Sequence, residues 1–140
     1  MKTFIIPLMV LIVSSTGEVN IENQNMKIEY EITSGSVNSF TSDTNTTSLI
    51  INITATEGGS LKAILPRKII DSKHEEQDDI FYLLIDGEEC KFTETIEDNQ
   101  RTLTIPYAKE SRQIEIIGTE TINKLVTIDE DLALGTMLRI

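Results

Sequence analysis

Apolar and polar residues alternate with a period of two along much of this chain. Ile28, Tyr30 and Ile32 share one parity, while Lys27, Glu29 and Glu31 take the other. That is the mark of a strand with one face buried. Ser34-Gly35 breaks the pattern, and Val37 and Phe40 lie in a weaker strand from Ser36 to Thr41, followed by a polar loop to Thr47. Leu49, Ile51, Ile53 and Ala55 mark a stronger strand, Glu57-Gly58-Gly59 turns the chain, and Leu61, Ala63 and Leu65 form the next inward face. Pro66 cannot donate to a ladder, and Pro66 to Ile70 reads as a single helical turn with proline at its first position.

Asp71 to Asp79 is a charged loop. Ile80 to Ile85 is apolar on both parities, which predicts a central strand covered on both faces. Asp86-Gly87 between apolar runs is a two-residue hairpin signal, and the returning strand, Glu88 to Thr95, places Cys90 and Phe92 on its core face. Leu103 and Ile105 alternate with Thr102 and Thr104 up to Pro106, and Arg112 to Ile117 is a last clear strand closed by Gly118. Ile122 to Ile128 reads as one more strand, and Asp129 to Ile140 as a short amphipathic helix or tail. Short strands, frequent turns and no long helix predict an all-β fold, an antiparallel Greek-key-like β-sandwich of about seven to eight strands. A closed barrel is the nearest alternative.

Ahead of these strands, Lys2 precedes the apolar run Phe4 to Val13, and Ser14, Ser15, Thr16 and Gly17 supply small residues behind it. The run is too short to cross about 30 Å of hydrocarbon as a helix, so residues 1–17 read as a signal peptide, with an uncleaved anchor as the alternative. Residues 18–25 then read as a linker, 26–119 as the sandwich domain and 120–140 as a C-terminal extension. The expected location is secreted or cell-surface associated, with the membrane met only through the leader.

The 140 residues carry 12 basic and 23 acidic side chains, a net charge of −11. Such a surface repels phosphate backbones, which excludes nucleic acid as an expected partner; solubility is the plainer reading of the acidity. A single cysteine, Cys90, cannot form an internal disulfide, so it reads as a small buried hydrophobe or a site of pairing between chains.

Candidate chemistry is sparse. The one histidine, His74, lies in an acidic, exposed-looking loop, where nothing would hold an imidazole against a nucleophile. The chain contains no His-Glu-x-x-His pair, Gly-x-Ser-x-Gly elbow or phosphate loop. A carboxylate-based hydrolase would need a cleft with two close acids, usually lined by aromatics, and the chain has no Trp, 4 Phe and 3 Tyr. The expectation is therefore a non-enzyme without a cofactor. The acids Asp71, Glu75, Glu76, Asp78 and Asp79 form the candidate calcium loop, because hard cations take six to eight oxygens. A solvated acidic loop is the bland alternative. The sequons Asn45-Thr46-Thr47 and Asn52-Ile53-Thr54 make Asn45 and Asn52 glycosylation candidates, with Asn45 in a loop the better acceptor.

Four blocks carry a family resemblance: Leu65-Pro66-Arg67-Lys68-Ile69-Ile70-Asp71, Ile85-Asp86-Gly87-Glu88-Glu89, Arg101-Thr102-Leu103-Thr104-Ile105-Pro106-Tyr107 and Ile114-Glu115-Ile116-Ile117-Gly118-Thr119. In this order the region Asn25 to Thr119 resembles a β-sandwich module of exported proteins of ammonia-oxidising archaea (Thaumarchaeota). Many of those proteins end in a Pro-Glu-Phe-Gly sorting signal and a hydrophobic tail, and this sequence shows neither. The resemblance implies a cell-surface or secreted module with no catalytic site to carry over. Its expected role is structural or interactive, towards another protein, a cell-envelope component or a second copy of itself.

Overall fold

The computed structural model describes residues 14–21, 26–122 and 127–128. In chain order the strands are β1 (Ser14–Ile21), β2 (Lys27–Thr33), β3 (Gly35–Asp43), β4 (Ser48–Ala55), β5 (Gly59–Pro66), β6 (Ile70–Asp71), β7 (Lys73–His74), β8 (Gln77–Asp78), β9 (Tyr82–Ile85), β10 (Glu88–Glu89), β11 (Thr93–Ile96), β12 (Gln100–Tyr107), β13 (Gln113–Ile117), β14 (Glu120–Thr121) and β15 (Thr127–Ile128). One sheet has six strands in the order β11-β12-β5-β2-β1-β15, and the other has five in the order β10-β9-β13-β4-β3. Every pairing is antiparallel. The chain leaves β2 for the β3–β4 hairpin of the second sheet and returns to β5, which lies beside β2. This over-and-back path makes the fold a β-sandwich of the Greek-key kind.

The predicted parities set the core. Ile28 and Ile32, then Leu49 and Ile51, then Leu61, Ala63 and Leu65, then Leu103 and Ile105, then Ile114 and Ile116 are all buried. Register aligns them in rows: Leu61 lies between Ile32 and Ile105, and Ile114 between Ile51 and Ile85. Each fully buried branched side chain contributes roughly 2 kcal/mol of transfer free energy. Val37 and Phe40 are three residues apart, so a regular strand would send them to opposite faces. A bulge between Val37 and Ser39 resolves this: Val37 pairs with Ile53 and Phe40 with Ile51, and both reach the core side.

Several local expectations are corrected. Pro66 to Ile70 is a hydrogen-bonded turn, closed by Ile69 N–H to Pro66 C=O at 2.9 Å, not a helical one. The strand expected over Glu88 to Thr95 is split, because the chain crosses from the second sheet (β10) to the first (β11) at Cys90–Phe92. Ile80 to Ile85 is not covered on both faces: Phe81 and Leu83 are buried, while Ile80 and Tyr82 are exposed. The acidic loop contains the β7–β8 hairpin, whose tip residues Glu75 and Glu76 both take positive φ (54° and 68°).

At the N-terminal end, residues 18–21 are not a linker. They complete β1, which pairs along its length with β2 and buries Val19 and Ile21. Residues 1–13 of the expected leader and residues 22–25 lie outside the described residues. The C-terminal extension supplies β14, which pairs with β6, and β15, which pairs with β1; residues 123–126, the middle of the strand expected over Ile122 to Ile128, lie outside the described residues. Its residues 129–140 also lie outside the described residues.

Tyr107 ties three strands of the first sheet together. It stands opposite Gly59 of β5, and its buried hydroxyl donates to the Thr33 carbonyl of β2. The ring crosses β5 only because position 59 has no side chain; a Cβ there would sit 2.6 Å from Thr33 O and 2.9 Å from the Tyr107 hydroxyl. Tyr107→Phe leaves that carbonyl without its donor and should cost about 1–2 kcal/mol. Urea unfolding measures it, and an unchanged midpoint would show that the bond contributes nothing net.

Candidate functional site

Two features stand out, and both draw on the segment between β5 and β12. The first is an ionic network at one end of the sandwich. Arg101 opens the inward parity of β12, ahead of Leu103 and Ile105, and its side chain is 0% exposed. A buried guanidinium needs partners, because desolvating it costs several kcal/mol. Here Nη2 lies 2.8 Å from Asp71 Oδ1 and donates to Ser72 C=O at 2.7 Å, and Nη1 donates to Asp79 C=O at 2.6 Å. Glu94 of β11 lies 3.5 Å from Nη1, and the Phe81 ring stacks on the cation at 4.7 Å. Among the described residues, Arg101 Nε is the buried side-chain polar atom without a hydrogen-bond partner.

Arg67, from the turn after β5, forms the second half of the network. Its Nε lies 3.2 Å from Asp71 Oδ2, its Nη1 donates to Glu97 C=O at 3.0 Å, and its guanidinium pairs closely with Asp78. Asp71 thus bridges the two arginines. The Arg67 hydrogen bond holds the Asp78 carboxyl below its ordinary range. Burial pushes the Glu94 carboxyl up, even with Arg101 beside it.

The calcium candidates are dispersed by this arrangement. Asp71 and Asp78 are spent on arginines, Asp79 caps its own segment by accepting from Ile80 N–H at 2.8 Å, and Glu75 and Glu76 point into solvent at the hairpin tip. Two guanidinium groups occupy the charge that a cation would have supplied. Among the described residues no group of three or more acidic, histidine or cysteine side chains is placed to hold a metal. His74 is exposed beside Glu75. Asp98 is not among the arginines' ion-pair partners; it lines a cleft of about 760 Å³ that borders the network at Arg67 and Asp71 and also takes in Lys68, Lys73 and Glu120.

The second feature is an apolar cleft of about 610 Å³ on the side where β9 and β11 stand apart. Ile80, Tyr82, Phe92 and Ile96 line it, together with Cys90. Ile80 is 72% exposed, Tyr82 48% and Ile96 41%, and these are the exposed large hydrophobics among the described residues. Glu89, Lys91 and Glu94 stand among them. Cys90 is half-buried; its thiol points to the Lys91 carbonyl at 3.2 Å, and burial pushes its pKa up, which makes it a poor thiolate nucleophile. Sequence reasoning missed this cleft, because a continuous apolar run looks the same whether or not its second face is covered.

The sequons differ in access. Asn45 is exposed in the turn joining β3 to β4, where its N–H is held by Asp43 Oδ1 at 2.9 Å. Asn52 is half-buried in the middle of β4, and its amide donates to Ser39 Oγ at 2.9 Å. The chain matches no known protein family, no curated protein and no solved structure.

Two outcomes test the network. Asp78 titrates lower folded than unfolded, so its stabilisation is present above its ordinary value of 3.8 and is lost as pH falls through the folded value. The thermal midpoint of the protein should therefore exceed that of Asp78→Asn at pH 7, and the gap should close in acid. A constant gap from neutral pH into acid would remove the ion pair from the account. Calcium at about 5 mM should leave the midpoint unchanged, whereas a site filled at that concentration would raise it.

Proposed function

We propose that the protein is an exported, non-catalytic β-sandwich that acts by contact, through the open side between β9 and β11. One observation carries this reading: Ile80, Tyr82 and Ile96, the exposed large hydrophobics among the described residues, all line one cleft. Single exposed apolar residues are ordinary; a concave cluster ringed by charge is the form of a contact surface. The chemistry around it points the same way. Of the charged groups in the cleft, Glu94 is engaged by Arg101, and burial pushes the pKa of the one thiol up.

Export is supported by the leader pattern of Lys2, Phe4 to Val13 and the small residues behind them, and by the resemblance of four blocks to exported archaeal surface modules. The net charge of −11 sets the chemistry of the partner. It offers apolar side chains to the cleft and neutral or basic groups to the rim, as a protein or cell-envelope component does, and nucleic acid is disfavoured.

A photo-crosslinking residue at Tyr82, with Thr54 on β4 as control, tests the proposal in exporting cells. Adducts should form from position 82, should be scarce from position 54, and should disappear with Ile80→Lys. An adduct of twice the protein's own mass would identify the partner as a second copy. Equal yields from both positions, insensitive to Ile80→Lys, would overturn the contact surface.

A further inference from the structure

The small residues that a leader peptidase reads are also the first half of a strand. Ser14, Ser15, Thr16 and Gly17 follow the apolar run. With small residues at the third and first positions before the cut, two bonds qualify: Thr16–Gly17, preceded by Ser14 and Thr16, and Gly17–Glu18, preceded by Ser15 and Gly17. Composition does not separate them, but the fold does.

β1 pairs residue for residue with β2, and Gly17 stands opposite Tyr30. The Tyr30 ring lies over Gly17 so closely that a Cβ at position 17 would run into it. The same ring meets the Phe40 ring at 5.8 Å between centroids, tilted by 49°. Phe40 belongs to β3 of the other sheet and is buried. The backbone of Gly17 is therefore the floor of an aromatic pair that joins the two sheets. Further along β1, Val19 and Ile21 enter the core, so the strand must keep its register. A chain beginning at Gly17 retains the floor and all the core contacts of β1. A chain beginning at Glu18 removes the floor and puts a new α-ammonium group near the ring edge.

We infer that leader removal leaves Gly17 on the mature chain, with Thr16–Gly17 as the scissile bond; this rests on the exported reading above. The step is hydrolysis: water adds across the amide, its hydroxyl goes to the Thr16 carbonyl carbon, and its hydrogen goes to the Gly17 nitrogen. In the folded full chain Ser15 and Thr16 belong to the β1–β2 ladder opposite Ile32 and Glu31. A peptidase needs that segment unpaired, so cleavage precedes the docking of β1 onto β2.

The intact mass of protein recovered outside exporting cells decides the position. A chain starting at Gly17 is expected; a start at Ser15 or Thr16 overturns Thr16–Gly17 as the scissile bond. A start at Glu18 or later overturns the inference while leaving export intact. A mass that retains Met1 overturns the exported reading and the cut with it. Independently, Gly17→Val in the full chain should lower the thermal midpoint by several degrees, and the drop should shrink when Tyr30 is also changed to Ala. An equal drop in both backgrounds, or none in either, means that Tyr30 does not rest on Gly17, and the basis for retaining that residue is gone.

Discussion

The positive charge of Arg101 inside the sandwich is the constraint from which much of the surrounding structure follows. A guanidinium placed among Leu65, Leu103 and Phe81 is unfavourable unless its donors are met. The groups that meet them are Asp71, the Ser72 and Asp79 carbonyls, and Glu94. These come from β6, the segment after it and β11, so one buried side chain sets the course of residues 71–79 and the seat of an edge strand. Burying an ion pair adds little net stability against an apolar replacement, but removing one partner strands the other. The network acts mainly as a specification of which segments meet.

That specification explains how the acidic loop is tied to the sandwich. Arg67 and Arg101 draw Asp71 and Asp78 to the end of the sandwich, and the β7–β8 hairpin is carried with them. Its tip holds two glutamates in the left-handed region, which is unfavourable for residues with a Cβ. Anchored legs allow that strained tip to persist. The same anchoring leaves the neighbouring side of the sandwich ajar. Phe81 turns inward to cover Arg101, and its neighbours Ile80 and Tyr82 are left facing outward.

Much of the fold was legible in parity alone. The alternations Leu49-Ile51-Ile53, Leu61-Ala63-Leu65 and Ile114-Ile116 name the inward faces without error, since a residue two positions along a strand returns to the same side. The same rule puts Arg101 inward with Leu103 and Ile105, so the signal for a buried cation was present. Its partners were not readable, because Ser72 and Asp79 lie 29 and 22 residues away in sequence. The start of the sandwich was hidden for a different reason. Ser14 to Gly17 has the composition of a leader's end, and only Val19 and Ile21 alternate behind it. The calcium expectation rested on clustering in sequence, which says nothing of counter-ions such as Arg101 arriving from another strand.

The edges of the sheets bear on how the surface makes contact. β11 is short and turns the charged Glu94 inward, and β3 carries a bulge that breaks its ladder. Inward charge, short length and bulges are the usual means of blocking a further strand from pairing. These two of the four edges therefore resist extension by backbone hydrogen bonding, and the other two, β10 and β15, are strands of only 2 residues each. What remains attractive is the pocket between β9 and β11, where Ile80, Tyr82, Phe92 and Ile96 offer side-chain surface. A partner gains there by inserting apolar groups, and its specificity comes from matching Glu89, Lys91 and Glu94 around them. The arrangement favours recognition of side chains over strand addition, because the first buries area that is already exposed and the second must work against features that disfavour it.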